Sequence, residues 1–211
     1  MYDADSGSYL ARAKKCFERE EPEFLFYTAL ELRCYIETRQ NEYLWAAERY
    51  RKSWPKRWNI GQQNSELRKI YAKEQIQRII QRFEDGYELF MEFVPVTTAL
   101  KLRGEKLGSL LHSQDKKLVK NQLDVIRSDL EMTFGECEIC NAGNLMCPAL
   151  ISNDGKLIGP VELIVPWETL EHIKARLGAG TKVTLDVSYL DLWRSSKADG
   201  SQKPVIRDLG T

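Results

Sequence analysis

The chain has 211 residues, with 31 Lys/Arg balanced by 31 Asp/Glu, a length that suits one large domain or two small ones with a proper core. Its 43% hydrophobic and 29% charged residues are those of an ordinary soluble globular protein. No apolar run approaches the roughly 18 residues of a membrane-spanning helix, and the acidic, polar start lacks the basic and apolar regions of a secretory signal, so a cytoplasmic, reducing setting and no membrane partner are expected.

The neutral total hides an uneven distribution. Residues 49–82 carry ten Lys/Arg against two acids, Glu66 and Glu74, whereas residues 1–48 carry six bases and ten acids. Such asymmetry gives a basic face that a near-neutral isoelectric point conceals.

A first helix is expected over 9–20, capped by Ser8 and lined by Leu10, Ala13 and Phe17. Pro22 suits the first turn of the next helix, expected over 23–51. Along it Leu25, Ala29, Leu32, Ile36 and Tyr43 recur at helical spacing and mark a buried face. Arg33 and Glu37 stand four apart at its edge, so their side chains can meet. They read as a clasp that fixes packing, or as a pair that faces a ligand or RNA. Arg39 lies close to the apolar face and can reach a carbonyl or a second subunit. Cys16 and Cys34 read as small core or boundary residues.

A loop follows over 53–61, punctuated by Pro55 and Gly61. Arg49, Arg51, Lys52, Lys56 and Arg57 interleave there with Trp54 and Trp58. Lys and Arg can neutralise phosphates, and exposed tryptophan can stack on unpaired bases. The competing use is tryptophan packed into the core beneath a solvated basic face. A third helix is expected over 62–83, ending at Asp85-Gly86 and carrying Arg68 and Lys69 on the same basic surface.

Residues 87–95 fit a strand by their aromatics but allow a helix. Residues 97–112 read as one or two helical pieces interrupted at Gly104, with His112 at the end. A helix-end histidine serves as a cap or packing residue, or as a general base if an arginine or acid meets it in space; Arg103 and Arg33 are the candidates. A further helix is expected over 116–131. After Phe134, 136–140 and 147–152 read as short strands, Asn153-Asp154-Gly155 as a tight turn, and 156–165 as the returning strand. A helix over 166–177 closed by Gly178, a strand over 181–190 and a loose polar tail from Ser195, in which Val205 and Ile206 could dock, complete the chain.

Cys137 and Cys140 have the spacing with which two thiolates grip one side of a zinc ion. Cys147 could be a third ligand; a fourth must come from His112, His172 or another chain. The chain has five cysteines, an odd count that does not suit a secreted disulfide framework. No phosphate-binding loop, dinucleotide fingerprint, nucleophile elbow or His-Glu-x-x-His motif is present.

The helix pair 9–37, with its Ala29-Leu-Glu-Leu-Arg33 and Ile36-Glu37 core, resembles the start of a HEPN-type helical domain of bacterial proteins. Leu107-Gly-Ser-Leu-Leu-His112 is similar to a piece seen downstream in that group. The resemblance spans residues 9–130 and implies a helical bundle, often dimeric, of toxin–antitoxin or phage-defence kind, whose members include ribonucleases and non-catalytic relatives. The ribonuclease signature, arginine then histidine four to six residues later, is absent: Arg103 precedes His112 by nine positions. The resemblance thus implies fold more than activity.

The expectation is an α+β chain. A helical HEPN-like bundle over 1–132 precedes a small α+β domain over 133–211, with a β-hairpin and polar tail. The expected function is a non-catalytic or atypical nucleic-acid-associated protein that contacts single-stranded nucleic acid through the basic segment. The alternatives are an adaptor that forms a homodimer and docks a protein partner through its β-domain, and a ribonuclease. No cofactor is expected unless zinc occupies the cysteine cluster.

Overall fold

A computed structural model describes residues 3–48, 59–112, 122–151, 157–158, 163–196 and 202–207. The architecture is α+β. Among the described residues six helices, α1 (Ser6–Phe17), α2 (Glu23–Ala46), α3 (Ile60–Ile70), α4 (Thr98–Leu111), α5 (Leu123–Ala142) and α6 (Trp167–Gly178), accompany six strands. The strands are β1 (Ile76–Phe83), β2 (Glu88–Phe93), β3 (Leu150–Ile151), β4 (Leu157–Ile158), β5 (Val183–Ser196) and β6 (Gln202–Arg207). A four-stranded antiparallel sheet has the order β2-β1-β5-β6, and β3 pairs with β4 separately.

α2 is the central helix, touching α1, α3, α4 and α5. Its expected face, Leu25, Ala29, Leu32, Ile36 and Tyr43, is buried, and so are Thr28, Tyr35, Arg39, Gln40 and Leu44. A helix enclosed on so many sides cannot stay strictly amphipathic. α1 begins earlier than expected because Asp5, not Ser8, is its cap: Asp5 Oδ1 accepts from Ser8 N at 2.8 Å.

The main correction concerns 62–83. The single expected helix is α3 followed by β1. Ile76, Ile79, Ile80 and Phe83 fit helical spacing, but they are also β-branched or aromatic residues that suit a pleated surface. Partners on both sides decide the matter: β1 pairs with β2 through Ile79↔Met91 and with β5 through Ile79↔Val187. Asp85-Gly86 is therefore a hairpin turn, with Gly86 at φ 84°, and the ambiguous stretch after it is β2.

One sheet face lies on the helices. Ile79, Phe83, Leu89, Met91 and Phe93 are buried there, and the Phe93 ring sits 4.9 Å from that of Tyr43 and 5.3 Å from that of Tyr71. The other face carries cross-strand ion pairs, Arg78–Glu92 at 2.5 Å and Arg82–Glu88 at 2.6 Å, beside exposed Phe90.

α4 is continuous through Gly104, whose missing side chain leaves room for Ile36 and Ile60. Residues 116–121 of the helix expected over 116–131 lie outside the described residues; from Leu123 α5 runs on to Ala142, so the stretch 136–140, expected as a strand, is helical. The boundary expected after residue 132 falls within α5, and the β1–β5 ladder joins the two parts in one sheet. β5 extends past the expected strand, and Val205 and Ile206 of the tail pair with it in β6. The Asn153-Asp154-Gly155 turn lies outside the described residues. Among the described residues no helix is long and apolar enough to cross a membrane.

Candidate functional site

Two clusters of charged and thiol side chains surround α2. The first follows its outer edge. Arg33 Nη2 lies 3.0 Å from Glu37 Oε1, as their spacing predicts. Burial pushes the Glu37 carboxyl up, and Arg33 only partly offsets this. Across the seam, the Arg33 guanidinium lies over Gly108 of α4, with Cζ 2.9 Å from where a β-carbon would stand. Gly108 thus acts as a slot for the arginine head.

His112 caps the end of α4, its backbone N–H donating to Ser109 O at 3.4 Å, and is exposed. Arg103 does not share its side of the helix. Nine residues at about 100° each place them on opposite faces, roughly 13 Å apart along the axis. Arg103 Nε instead donates to Glu136 Oε1 of α5 at 3.2 Å. By helical spacing alone, His112 follows about one turn beyond the glycine that Arg33 covers.

The second cluster is buried and centres on Arg39, 4% exposed. Its Nη2 donates to Cys140 O at 3.3 Å and Gly143 O at 3.0 Å, at the C-terminal end of α5. A guanidinium there meets carbonyls with no partner in the helix and complements the negative end of the helix dipole. Its Nη1 donates to Glu42 Oε2 at 3.3 Å, and Glu42 accepts from Ser6 N at 2.9 Å and Ser6 Oγ at 2.6 Å. One chain of contacts thus ties the start of α1 through α2 to the end of α5. The next residues clamp the sheet. Asn144 Oδ1 accepts from Glu92 N at 2.8 Å, Asn144 Nδ2 donates to Phe90 O at 2.9 Å, and Leu145 N donates to Glu92 O at 2.9 Å. These are edge groups of β2 that another strand would otherwise use.

Cys137 and Cys140 belong to this cluster. They stand three apart on α5, both buried rather than on a knuckle. Cys140 Sγ lies 3.6 Å from Val94 O and 3.6 Å from the Tyr43 hydroxyl, which itself donates to Val94 O at 2.7 Å. Burial pushes the Cys137 thiol well above its ordinary range, which disfavours the thiolate that zinc requires. Cys147 is buried too, and among the described residues no three His, Cys, Asp or Glu side chains stand together as a metal would need.

Of the expected nucleic-acid contacts, Arg49, Arg51, Lys52, Trp54, Lys56, Arg57 and Trp58 lie outside the described residues. Arg68 is bound to its own chain: it meets Glu74 and donates to Thr98 Oγ1 at 2.8 Å and Ala72 O at 3.3 Å. Glu74 in turn accepts from Thr98 N at 3.2 Å, setting a carboxylate at the start of α4. Lys69 Nζ lies 2.5 Å from Glu66 Oε1.

Sequence reasoning placed Arg39 within reach of a carbonyl but missed Ser6, Glu42, Gly143 and Asn144. Ser6 and Glu42 lie 36 positions apart, Gly143 lies 104 from Arg39 and Asn144 lies 52 from Glu92, and local spacing carries no such signal. Gln40 is another surprise: it is buried, and neither amide atom has a hydrogen-bond partner.

Comparison with protein-family models, curated proteins and solved structures gave no match.

Proposed function

We propose that this chain is a HEPN-like, nucleic-acid-associated protein of bacterial defence or toxin–antitoxin kind, and that residues 49–58 are its contact segment for single-stranded nucleic acid. The observation that supports this is the distribution of charge. Arg68, Lys69, Arg78, Arg82, Lys101, Arg103, Lys106 and Arg176 are each engaged by a carboxylate of the same chain. The segment 49–58 has five Lys/Arg, two tryptophans and no acid. Its cations serve phosphates and its indoles serve bases. Fluorescence anisotropy with labelled single-stranded RNA and DNA tests it. Affinity should fall steeply with salt, and replacing Arg51, Lys52 and Arg57 by Glu together should weaken binding at least about tenfold. Absence of binding at low salt, or equal affinity of the variant, would refute it.

A ribonuclease reading draws on Arg33, which covers Gly108 about one turn before His112. It requires RNA cleavage that is lost in both Arg33→Ala and His112→Ala; cleavage that survives either change removes it.

A further inference from the structure

α6 is held less firmly than the other helices. Trp167, Leu170, Ile173 and Leu177 recur within an arc of about 120°, a stripe that an amphipathic helix normally turns to a core. Here Ile173 is buried and Leu170 half-buried, while Trp167 and Leu177 remain 65% and 53% exposed. The Lys174 ammonium stays within the helix, 3.1 Å from Glu171 Oε1 and 4.8 Å from the centre of the Trp167 ring. Among the described residues, Arg176 alone ties α6 to another element through a polar side chain. Its Nε donates to Asp85 Oδ2 at 2.7 Å, and its Cζ stands 4.2 Å from the centre of the Tyr87 ring. Asp85 and Tyr87 belong to the turn that joins β1 to β2.

The chain is fixed to the sheet just before and just after α6. Ile164 N donates to Asn144 O at 2.8 Å, and Lys182 O accepts from Glu84 N at 3.3 Å. Between these anchors and the helix lie Pro166 on one side and Gly178 and Gly180 on the other. Both glycines have open space where a β-carbon would stand, and Gly180 has φ 70°, so backbone rotation there meets no packed neighbour.

We infer that α6 is a hinged strap that lifts from the β1–β2 hairpin as one unit, with Arg176 as its latch. A partly solvated ion pair holds weakly, and Arg176 and Asp85 are 23% and 46% exposed. The burial of Ile173 adds only a modest apolar term. Elements with so few buried contacts open at free energies well below that of global unfolding. Lifting bares the Tyr87 ring, which lies 5.7 Å from that of Phe83, so the open form presents an aromatic surface that the closed form covers. This inference does not depend on the nucleic-acid reading.

Hydrogen exchange of the full chain, read by mass spectrometry, tests it. A helix of 12 residues is marginal on its own, so its amides exchange once it lifts. Amides of residues 171–178 should exchange at least about tenfold faster than those at the centre of α2. Arg176→Ala removes the ion pair and the ring contact, and should speed exchange in α6 at least about threefold while leaving α2 unchanged. Asp85→Asn attacks the same latch from the hairpin side and should speed α6 as well. The double variant should exceed Arg176→Ala by less than the product of the two single effects. Exchange in α6 as slow as in α2, no change in α6 with Arg176→Ala, equal acceleration of α2 and α6, or effects of the two changes that simply multiply would overturn the inference.

Discussion

Replacing Arg39 by Leu tests whether the buried clasp holds the helical layer to the sheet. The substitution keeps apolar bulk but removes the guanidinium that reaches Cys140 O, Gly143 O and Glu42. Two carbonyls at the end of α5 lose a charged donor, and Glu42 keeps only Ser6 among these partners. Breaking a buried ion pair from one side costs about 3–5 kcal/mol. Two facts lower the figure here: Glu42 is partly solvated, and Arg39 Nε is buried without a hydrogen-bond partner in the native chain, so its desolvation cost is relieved. The expected loss is about 3 kcal/mol. Urea unfolding followed by circular dichroism measures it. Hydrogen exchange should show earlier opening at residues 140–145 and at β2, because Gly143 and Asn144 link the two. A loss under about 1 kcal/mol, or exchange unchanged at β2, would show that Arg39 is a passenger in the core.

Two further outcomes follow from the same geometry. Gly143→Ala places a β-carbon 2.9 Å from Val94 Cγ2 and 3.1 Å from Glu92 O, and should cost about 2 kcal/mol, whereas Gly108→Ala meets only the movable Arg33 head and gains helix propensity, so its melting temperature should stay near that of the native chain; equal losses in a thermal melt would contradict this contrast. At Glu74 burial pushes the carboxyl up, but hydrogen bonds from Thr98 and Arg68 outweigh it and the folded pKa is lowered. Its contribution is therefore present above the unfolded value near 4.5 and is lost as pH falls through the folded one. Glu74→Gln should lower the melting temperature at neutral pH by an amount that vanishes at strongly acid pH; a pH-independent difference would refute it.

The helical layer was largely legible in the sequence. The apolar spacing of Leu25–Tyr43 marks a buried face because a helix must cover it, and the Arg33–Glu37 contact depends only on a four-residue spacing. The sheet was less legible. Ile76, Ile79, Ile80 and Phe83 satisfy helical spacing as well as strand propensity, and the choice is made by β2 and β5 on either side of β1. Cys137 and Cys140 show the same limit: a three-residue spacing fits a zinc knuckle and one face of a helix equally well, and the tertiary partners Tyr43 and Val94 show which applies. That Arg33 covers Gly108 depends on how α2 crosses α4, which Gly108 permits but does not announce.

The position of β1 has a consequence for synthesis. Phe83 pairs with Val183, one hundred residues later. At about 5–20 residues per second, β1 emerges from the ribosome roughly 5–20 s before its inner neighbour exists. During that interval the β1–β2 hairpin has one unpaired edge beside Ile76 and Ile79, both of which end fully buried. The nascent chain is most exposed to misassembly at this stage, and any fragment that stops short of β5 remains in it.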